Sequence, residues 1–290
     1  MVPTLGVVFP PWYPPELLRP AALAAEETGV PELWLWEDCF KESGIAAASA
    51  ALAWTARLRV GIGLLPVPLR NVALLAMEVA TIERMFPGRF RPAVGHGVQP
   101  WMGQVGARAE SPLTLLREYV DALDRLLRGE TVTTSGRYVS LEEVALDWPP
   151  LQLVPVLSGG TGPRTLELLG GISAGVQLDS LSPEETRAAV EVVAHGAEAA
   201  AVPLPEILEL VMAVRGDDAR ERFAAHVGEL SGDPATEKGL AGEAAEVAEG
   251  VLRYGEAGVQ TVVLRPPEDE PDIVAWIRWI GTDVLPRLTP

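Results

Sequence analysis

The chain has 290 residues, 48% of them hydrophobic, and a formal net charge of −17 from 23 basic and 40 acidic side chains. That apolar content supports a large core and excludes disorder, and an acidic field without a basic stripe excludes nucleic acid and membranes as partners. No apolar run reaches the ~18 residues of a membrane span, and one cysteine, Cys39, excludes an intrachain disulfide. A first strand without a leader pattern, together with that lone cysteine, gives the expectation of a cytoplasmic protein.

The elements alternate. A strand over Leu5–Phe9 is followed by a helix opened by Pro14-Pro15 and stopped by Gly29. A second strand, Glu32–Trp36, precedes a helix over Gly44–Thr55. A third, Leu58–Leu64, precedes a helix over Val72–Met85 that Pro87-Gly88 ends. Arg89–Val94 is the fourth strand. A longer excursion follows. Its helix, Pro112–Leu127, has Ser111 at the N-cap and Leu115, Leu116, Tyr119, Val120, Leu123, Leu126 and Leu127 at helical spacing. Short extended pieces are predicted at Thr131–Thr134 and Arg137–Ser140. The fifth strand, Leu153–Leu157, runs into a Gly-rich turn and a helix to Leu169. The sixth, Gly175–Leu178, precedes Ser182-Pro183-Glu184-Glu185, a capping box that opens a helix to Ala200. The seventh, Ile207–Val214, precedes helices over Asp217–Glu229 and Gly242–Gly255. The eighth, Val259–Leu264, precedes a last helix over Pro271–Val284.

Eight strand–helix units whose strands are continuous apolar runs predict an eight-stranded parallel β/α (TIM) barrel, with a doubly wound sheet as the rival. Residues 1–290 read as one barrel domain with an insertion over about 97–150, after strand four.

In a barrel the loops after the strands carry the chemistry. These are Phe9–Tyr13, Glu37–Phe40, Gly63–Pro68, Gly95–Trp101, Ser158–Arg164, Gln177–Ser180, Arg215 and Arg265-Pro266. Ser158–Arg164 is the strongest ligand signal, because a Gly-rich turn before a helix offers backbone N–H groups and the positive dipole end to a phosphate. Arg164 adds a cation; an ordinary tight turn is the alternative. Gly95-His96-Gly97 lets a ligand approach the backbone, and His96 is a ligand or proton-transfer candidate. Of the adjacent Glu37 and Asp38, only one can point inward; it would bind or protonate substrate. Phe9, Trp12 and Trp101 are candidates for an apolar substrate pocket. The three histidines have no metal-ligand spacing, so no metal site is expected.

Taken in order and spacing, these motifs resemble the luciferase-like monooxygenase superfamily. The resemblance is carried by Leu5-Gly6-Val7-Val8-Phe9, Glu32–Phe40, Leu58–Gly63 with Pro66 and Arg70, Phe86–Phe90, Gly95-His96-Gly97, Arg117-Glu118 and Gly159–Arg164. It implies a barrel, often dimeric, using coenzyme F420 or flavin mononucleotide (FMN) at the strand C-termini. By position, Gly63, Leu64 and Leu65 would lie under the ring, and members often carry a cis peptide where this chain has Gly63–Leu64. The tail phosphate would sit on Gly97 and Val98 and on the Gly159, Gly160, Thr161, Gly162 and Arg164 segment. Where many F420-using members carry Asp-His after strand two, this chain has Glu37-Asp38-Cys39.

The expected function is hydride transfer to or from a small organic substrate, or its monooxygenation. Glu37, Asp38 and His96 are the candidate catalytic groups and the chain is expected to form a homodimer. Two alternatives remain: a non-redox barrel enzyme on a phosphorylated substrate, disfavoured because neither lysine (Lys41, Lys238) ends a strand, and a cofactor-poor binding barrel.

Overall fold

Alternate residues of each strand face opposite ways, and this divides the apolar runs into two cores. In β1 (Thr4–Phe9), Val8 points inward and packs with Trp34, Ala93, Leu157, Leu208, Leu210 and Val263. Leu5, Val7 and Phe9 point outward into a larger cluster shared with the helices. The computed structural model describes residues 1–227 and 237–288.

The other strands are β2 (Glu32–Leu35), β3 (Arg59–Pro66), β4 (Phe90–Gly95), β5 (Val132–Ser135), β6 (Ser140–Val144), β7 (Leu157–Gly159), β8 (Gly175–Asp179), β9 (Glu206–Val214), β10 (Leu240–Ala241) and β11 (Thr261–Arg265). Parallel pairing runs β1-β2-β3-β4-β7-β8-β9-β11 and returns to β1, closing the predicted barrel. The short β10 adds to the end of β9, and β5 and β6 form a separate antiparallel hairpin in the insertion.

The helices are α1 (Leu18–Glu27), α2 (Gly44–Trp54), α3 (Val72–Met85), α4 (Gln99–Gln104), α5 (Pro112–Leu127), α6 (Pro163–Ile172), α7 (Pro183–Ala200), α8 (Ala219–Val227), α9 (Ala244–Glu256) and α10 (Ile273–Trp279). None among the described residues is long and apolar enough to cross a membrane. The α5 apolar stripe is buried as its spacing requires. Ser111 stands at its N-cap, but its Oγ meets Thr114 Oγ1 at 2.7 Å instead of a backbone N–H. The Ser182–Glu185 capping box on α7 forms in both directions.

The structure corrects several boundaries. The fifth barrel strand is Leu157–Gly159, not Leu153–Leu157. Leu153 and Pro155 are exposed, and Pro155 has no N–H to pair, so pairing begins later and takes Ser158 and Gly159 out of the predicted turn. A short helix, α4, opens the insertion where none was expected. The C-terminal helix leaves α geometry at Ile280, continuing as a π turn to Val284. Gly228 and Glu229, the end of one predicted helix, lie outside the described residues.

The lower interior is polar. Arg91 Nη1 donates to Glu32 Oε1 at 2.7 Å and Nη2 to Glu206 Oε2 at 2.6 Å. Arg59 reaches Glu32 at 2.8 Å, Trp34 Nε1 donates to Glu32 Oε2 at 2.8 Å, and Thr261 Oγ1 donates to Glu206 Oε1 at 2.7 Å. Above this network the Trp34 ring lies across Gly61, where a Cβ would fall 2.4 Å from the ring. The middle of the barrel is thereby filled, and open space is left at the C-terminal end.

Candidate functional site

At that end β2, β3, β4, β7 and β8 open into a cleft of about 350 Å³. Its base is a bulge: the β3–β4 register shifts between Ile62 and Leu65, and the Gly63–Leu64 peptide is cis. The bulge turns the Leu64 side chain into the mouth. There it rests on two glycines, since a Cβ on Gly95 would fall 2.6 Å, and one on Gly159 2.8 Å, from Leu64 Cδ2. The next residue, Leu65, returns to the outer core and is fully buried there, away from the cleft.

Gln177 projects inward from β8 against the same bulge. Its Nε2 donates to Gly63 O at 3.4 Å, and a Cβ on Gly63 would fall 2.2 Å from its Oε1. The residue is 6% exposed, yet Oε1 is buried without a partner among the described residues. Trp36 continues the inward series Glu32, Trp34 and lines the cleft; its Nε1 is likewise buried and unpartnered. Trp12 stands edge-on to Trp36, ring centroids 5.7 Å apart, and backs the wall without lining it. Phe9 is 1% exposed, faces the outer core beside Tyr13, and takes no part in the pocket wall expected of it.

Glu37 and Asp38 both border the cleft, not one of them as strand alternation predicts, because β2 ends at Leu35 and they stand in the loop beyond it; their carboxyls differ. Glu37 is bidentate with Arg70, Nη2 to Oε2 at 3.1 Å and Nη1 to Oε1 closer still, and its Oε2 also accepts the Gly44 N–H at 2.8 Å. It thus ties the start of α2 to the segment after the bulge. Asp38 has only Lys41 Nζ at 4.0 Å among the described residues. Burial pushes its carboxyl above the usual range, with Lys41 opposing.

After β4, His96 Nδ1–H donates to Gly97 O at 3.0 Å, a carbonyl oxygen being only an acceptor, and Nε2 faces Gly160. Gly97 has φ +68°, a backbone conformation that favours glycine. Val98 caps α4, and Trp101 on that helix lines the cleft opposite Trp36.

After β7, Gly159, Gly160 and Thr161 line the cleft. Gly162, at φ +85°, is the N-cap of α6, and its carbonyl accepts Thr165 N and Leu166 N. The N–H groups of Thr161 and Gly162 meet no backbone carbonyl among the described residues. Gly162 and Arg164 stand on the exposed rim just outside the lining.

The cleft therefore gathers Glu37, Asp38, Gly63, Leu64, His96, Gly97, Val98, Trp101, Gly159, Gly160 and Thr161. It adds Trp36, Pro66, Gln177, Asp179 and Leu210, which had no assigned role. Inward strand parity was the signal for Trp36 and Gln177, each two residues beyond an inward-facing position, Trp34 and Gly175. A planar heteroaromatic ring with carbonyl and N–H groups on its edge fits this site. Its base is kept flat by glycines, and a buried acceptor (Gln177 Oε1) and donor (Trp36 Nε1) lack partners. The α6 N-terminus with Arg164 suits a phosphate on such a group.

Over 198 residues the chain is 29% identical to a 5,10-methylenetetrahydromethanopterin reductase of Methanolobus tindarius, covering 68% of this chain and 60% of that protein. Over 226 residues it is 28% identical to an F420-dependent glucose-6-phosphate dehydrogenase of Nakamurella multipartita, covering 72% and 66% respectively. The chain thus spans less than two thirds of these relatives' lengths. A solved F420-dependent secondary alcohol dehydrogenase in complex with an F420-acetone adduct shares the fold, with a TM-score of 0.87 at 22% identity over 100% of both chains. Residues 14–228 match the luciferase-like monooxygenase family model, and the chain belongs to that family.

Proposed function

We propose that this protein is an oxidoreductase that holds coenzyme F420 or FMN in the cleft and acts on a small organic substrate by hydride transfer or monooxygenation. The observation that carries the reading is the bulge of Gly63 and Leu64, packed on Gly95 and Gly159, with the buried Oε1 of Gln177 left unpartnered beside it. The names of the two curated relatives favour F420 over FMN.

When bound, the cofactor supplies the hydride or oxygen chemistry. The chain supplies position, water exclusion and protons. Thr161, Gly162 and Arg164 bind the phosphate with Gly97 and Val98 beside it. Trp36 and Trp101, with Trp12 behind, keep water from the reacting face. Asp38, uncommitted and biased toward its protonated form, gives a proton to or takes one from the substrate oxygen at its carboxyl. His96 Nε2 accepts a hydrogen bond from cofactor or substrate. Glu37 acts through Arg70 and α2 as a positioning residue.

The lone Cys39 suits a reducing cytoplasm, and the chain is proposed to be one barrel domain that pairs with a second copy. The uncharged α2 with exposed Trp54, and Leu74, Met77 and Met85 exposed on α3, support that pairing. Sedimentation of wild type and Met77→Glu tests it: a dimer that the charge dissociates supports the pairing, and a wild-type monomer refutes it.

Separate fluorescence titrations with F420 and FMN test the function. Saturable binding of one, weakened at least tenfold by Gln177→Leu, is expected. Failure of both to bind overturns the reading.

A further inference from the structure

Val263 belongs to the inner core, and two residues on, Arg265 ends β11 on the same inward face. Val263 is in register with Leu210, and Leu210 with Asp179; both Leu210 and Asp179 line the cleft. Arg265 is half-buried, and burial lowers its guanidinium pKa. Among the described residues its guanidinium makes one hydrogen bond, from Nη2 to Ser180 Oγ at 3.4 Å. Ser180 Oγ in turn donates to Asp179 Oδ1 at 2.8 Å, so a chain of contacts joins Arg265, which stands behind the lining, to the cleft wall. Two carboxylates of the following loop are committed elsewhere, while Asp179 and Glu268 act on Arg265 only from a distance. Glu270 pairs with Arg215 at 2.8 Å, and Asp269 pairs with Arg222 and His226, each at 3.0 Å. No carboxylate lies within ion-pair distance of Arg265 among the described residues.

A guanidinium has five donors, and a desolvated cation with one long hydrogen bond is costly unless something else completes it. We propose that Arg265 is a specificity-determining residue that receives a carboxylate group of the substrate at the β11 side of the cleft. The planar fork of arginine matches a carboxylate bidentately. The negative charges of Asp179 and Glu268 nearby favour a monoanion over a phosphate dianion. The substrate class rests on the oxidoreductase reading above, whereas the anion site itself does not.

The test uses the purified full chain and calorimetric titration with benzoate and with inorganic phosphate. Wild type should bind benzoate saturably and phosphate more weakly. Arg265→Gln should weaken benzoate at least tenfold, and Arg265→Lys less. Arg265→Gln should keep an equal or higher melting temperature, because it removes an unpaired charge, whereas a purely structural arginine would lower it. Cofactor affinity of Arg265→Gln should stay within twofold of wild type. If wild type binds benzoate but neither F420 nor FMN, the function fails while the anion site stands. Absent benzoate binding, equal binding by Arg265→Gln, or a preference for phosphate at Arg265 overturns the proposal.

Discussion

An inward-facing arginine stands at each end of the barrel, and the two have opposite surroundings. Arg91 at the lower end is paired with two carboxylates, and its guanidinium lies 5.4 Å from the centroid of the Trp34 ring. Arg265 at the upper end has one long contact. The same contrast holds for the rest of the two ends. Below, Glu32, Trp34 and Thr261 all satisfy their polar atoms within the chain. Above, among the described residues, Gln177 Oε1 and Trp36 Nε1 are buried unmet, and Asp38 has only a distant lysine. Buried polar groups are normally paired, so a cluster of unmet ones marks where a partner from outside belongs. One end meets its polar groups within the chain; the other is the end proposed to take ligands.

Four substitutions probe that division. Arg91→Met should have the largest effect, a loss of about 3 kcal/mol, because it takes one of two cations from buried Glu32, which keeps Arg59 and Trp34 Nε1, and the ion-pair partner of part-exposed Glu206. Urea unfolding measures it, and cofactor affinity of the folded fraction should not change; a loss below ~1 kcal/mol would deny the lower end its stabilising role. Asp38→Asn should lower kcat roughly 10²-fold or more with cofactor affinity unchanged. Because burial raises its pKa, the acid form persists above the usual carboxylate range. Steps needing that acid should fade as pH rises through the raised value, and the Asn variant should lack this arm.

Thr161→Asp is exposed and should leave stability alone. It should weaken cofactor binding at least ~10-fold by setting a carboxylate where the phosphate belongs. Equal titration curves for variant and wild type would remove the phosphate from that turn. Glu209→Gln should be the smallest effect. Glu209 is fully buried on the outer face of β9, accepting the Leu181 N–H at 3.0 Å, and burial raises its pKa well above the usual value. Burial favours its protonated form in the fold, so the wild type is most stable below the ordinary carboxylate pKa. That stability is lost as pH rises toward the raised native value. The Gln variant should therefore match wild type near pH 4 and exceed it by about 1 kcal/mol at pH 8, measured by thermal melts.

Much of the barrel was legible because its signals are local. The apolar runs, the Ser182 capping box and the α5 stripe each follow from a few neighbouring residues. The strand at Leu157–Gly159 was misplaced because Leu153–Leu157 is the more apolar run; where pairing begins depends on β4, which is distant in sequence. In the site, the glycine-bearing ends of β3, β4 and β7 were found by position. Rim position points Phe9, and the family resemblance points Leu65, to the cleft, and the alternation of β1 and the bulge in β3 turn them into the outer core instead.

The sequence by itself determined the barrel order, the insertion after β4 and the segments that meet at the mouth, because periodicity and turn residues act over short range. Only the tertiary structure decided which carboxyl is free. Glu37 and Asp38 are chemically alike and adjacent, and what separates them is Arg70 and the Gly44 N–H, brought to Glu37 by packing. The same holds for the two arginines. Arg91 and Arg265 differ in function because carboxylates from other strands reach one and stop short of the other, a matter of distance across the barrel that no local pattern encodes.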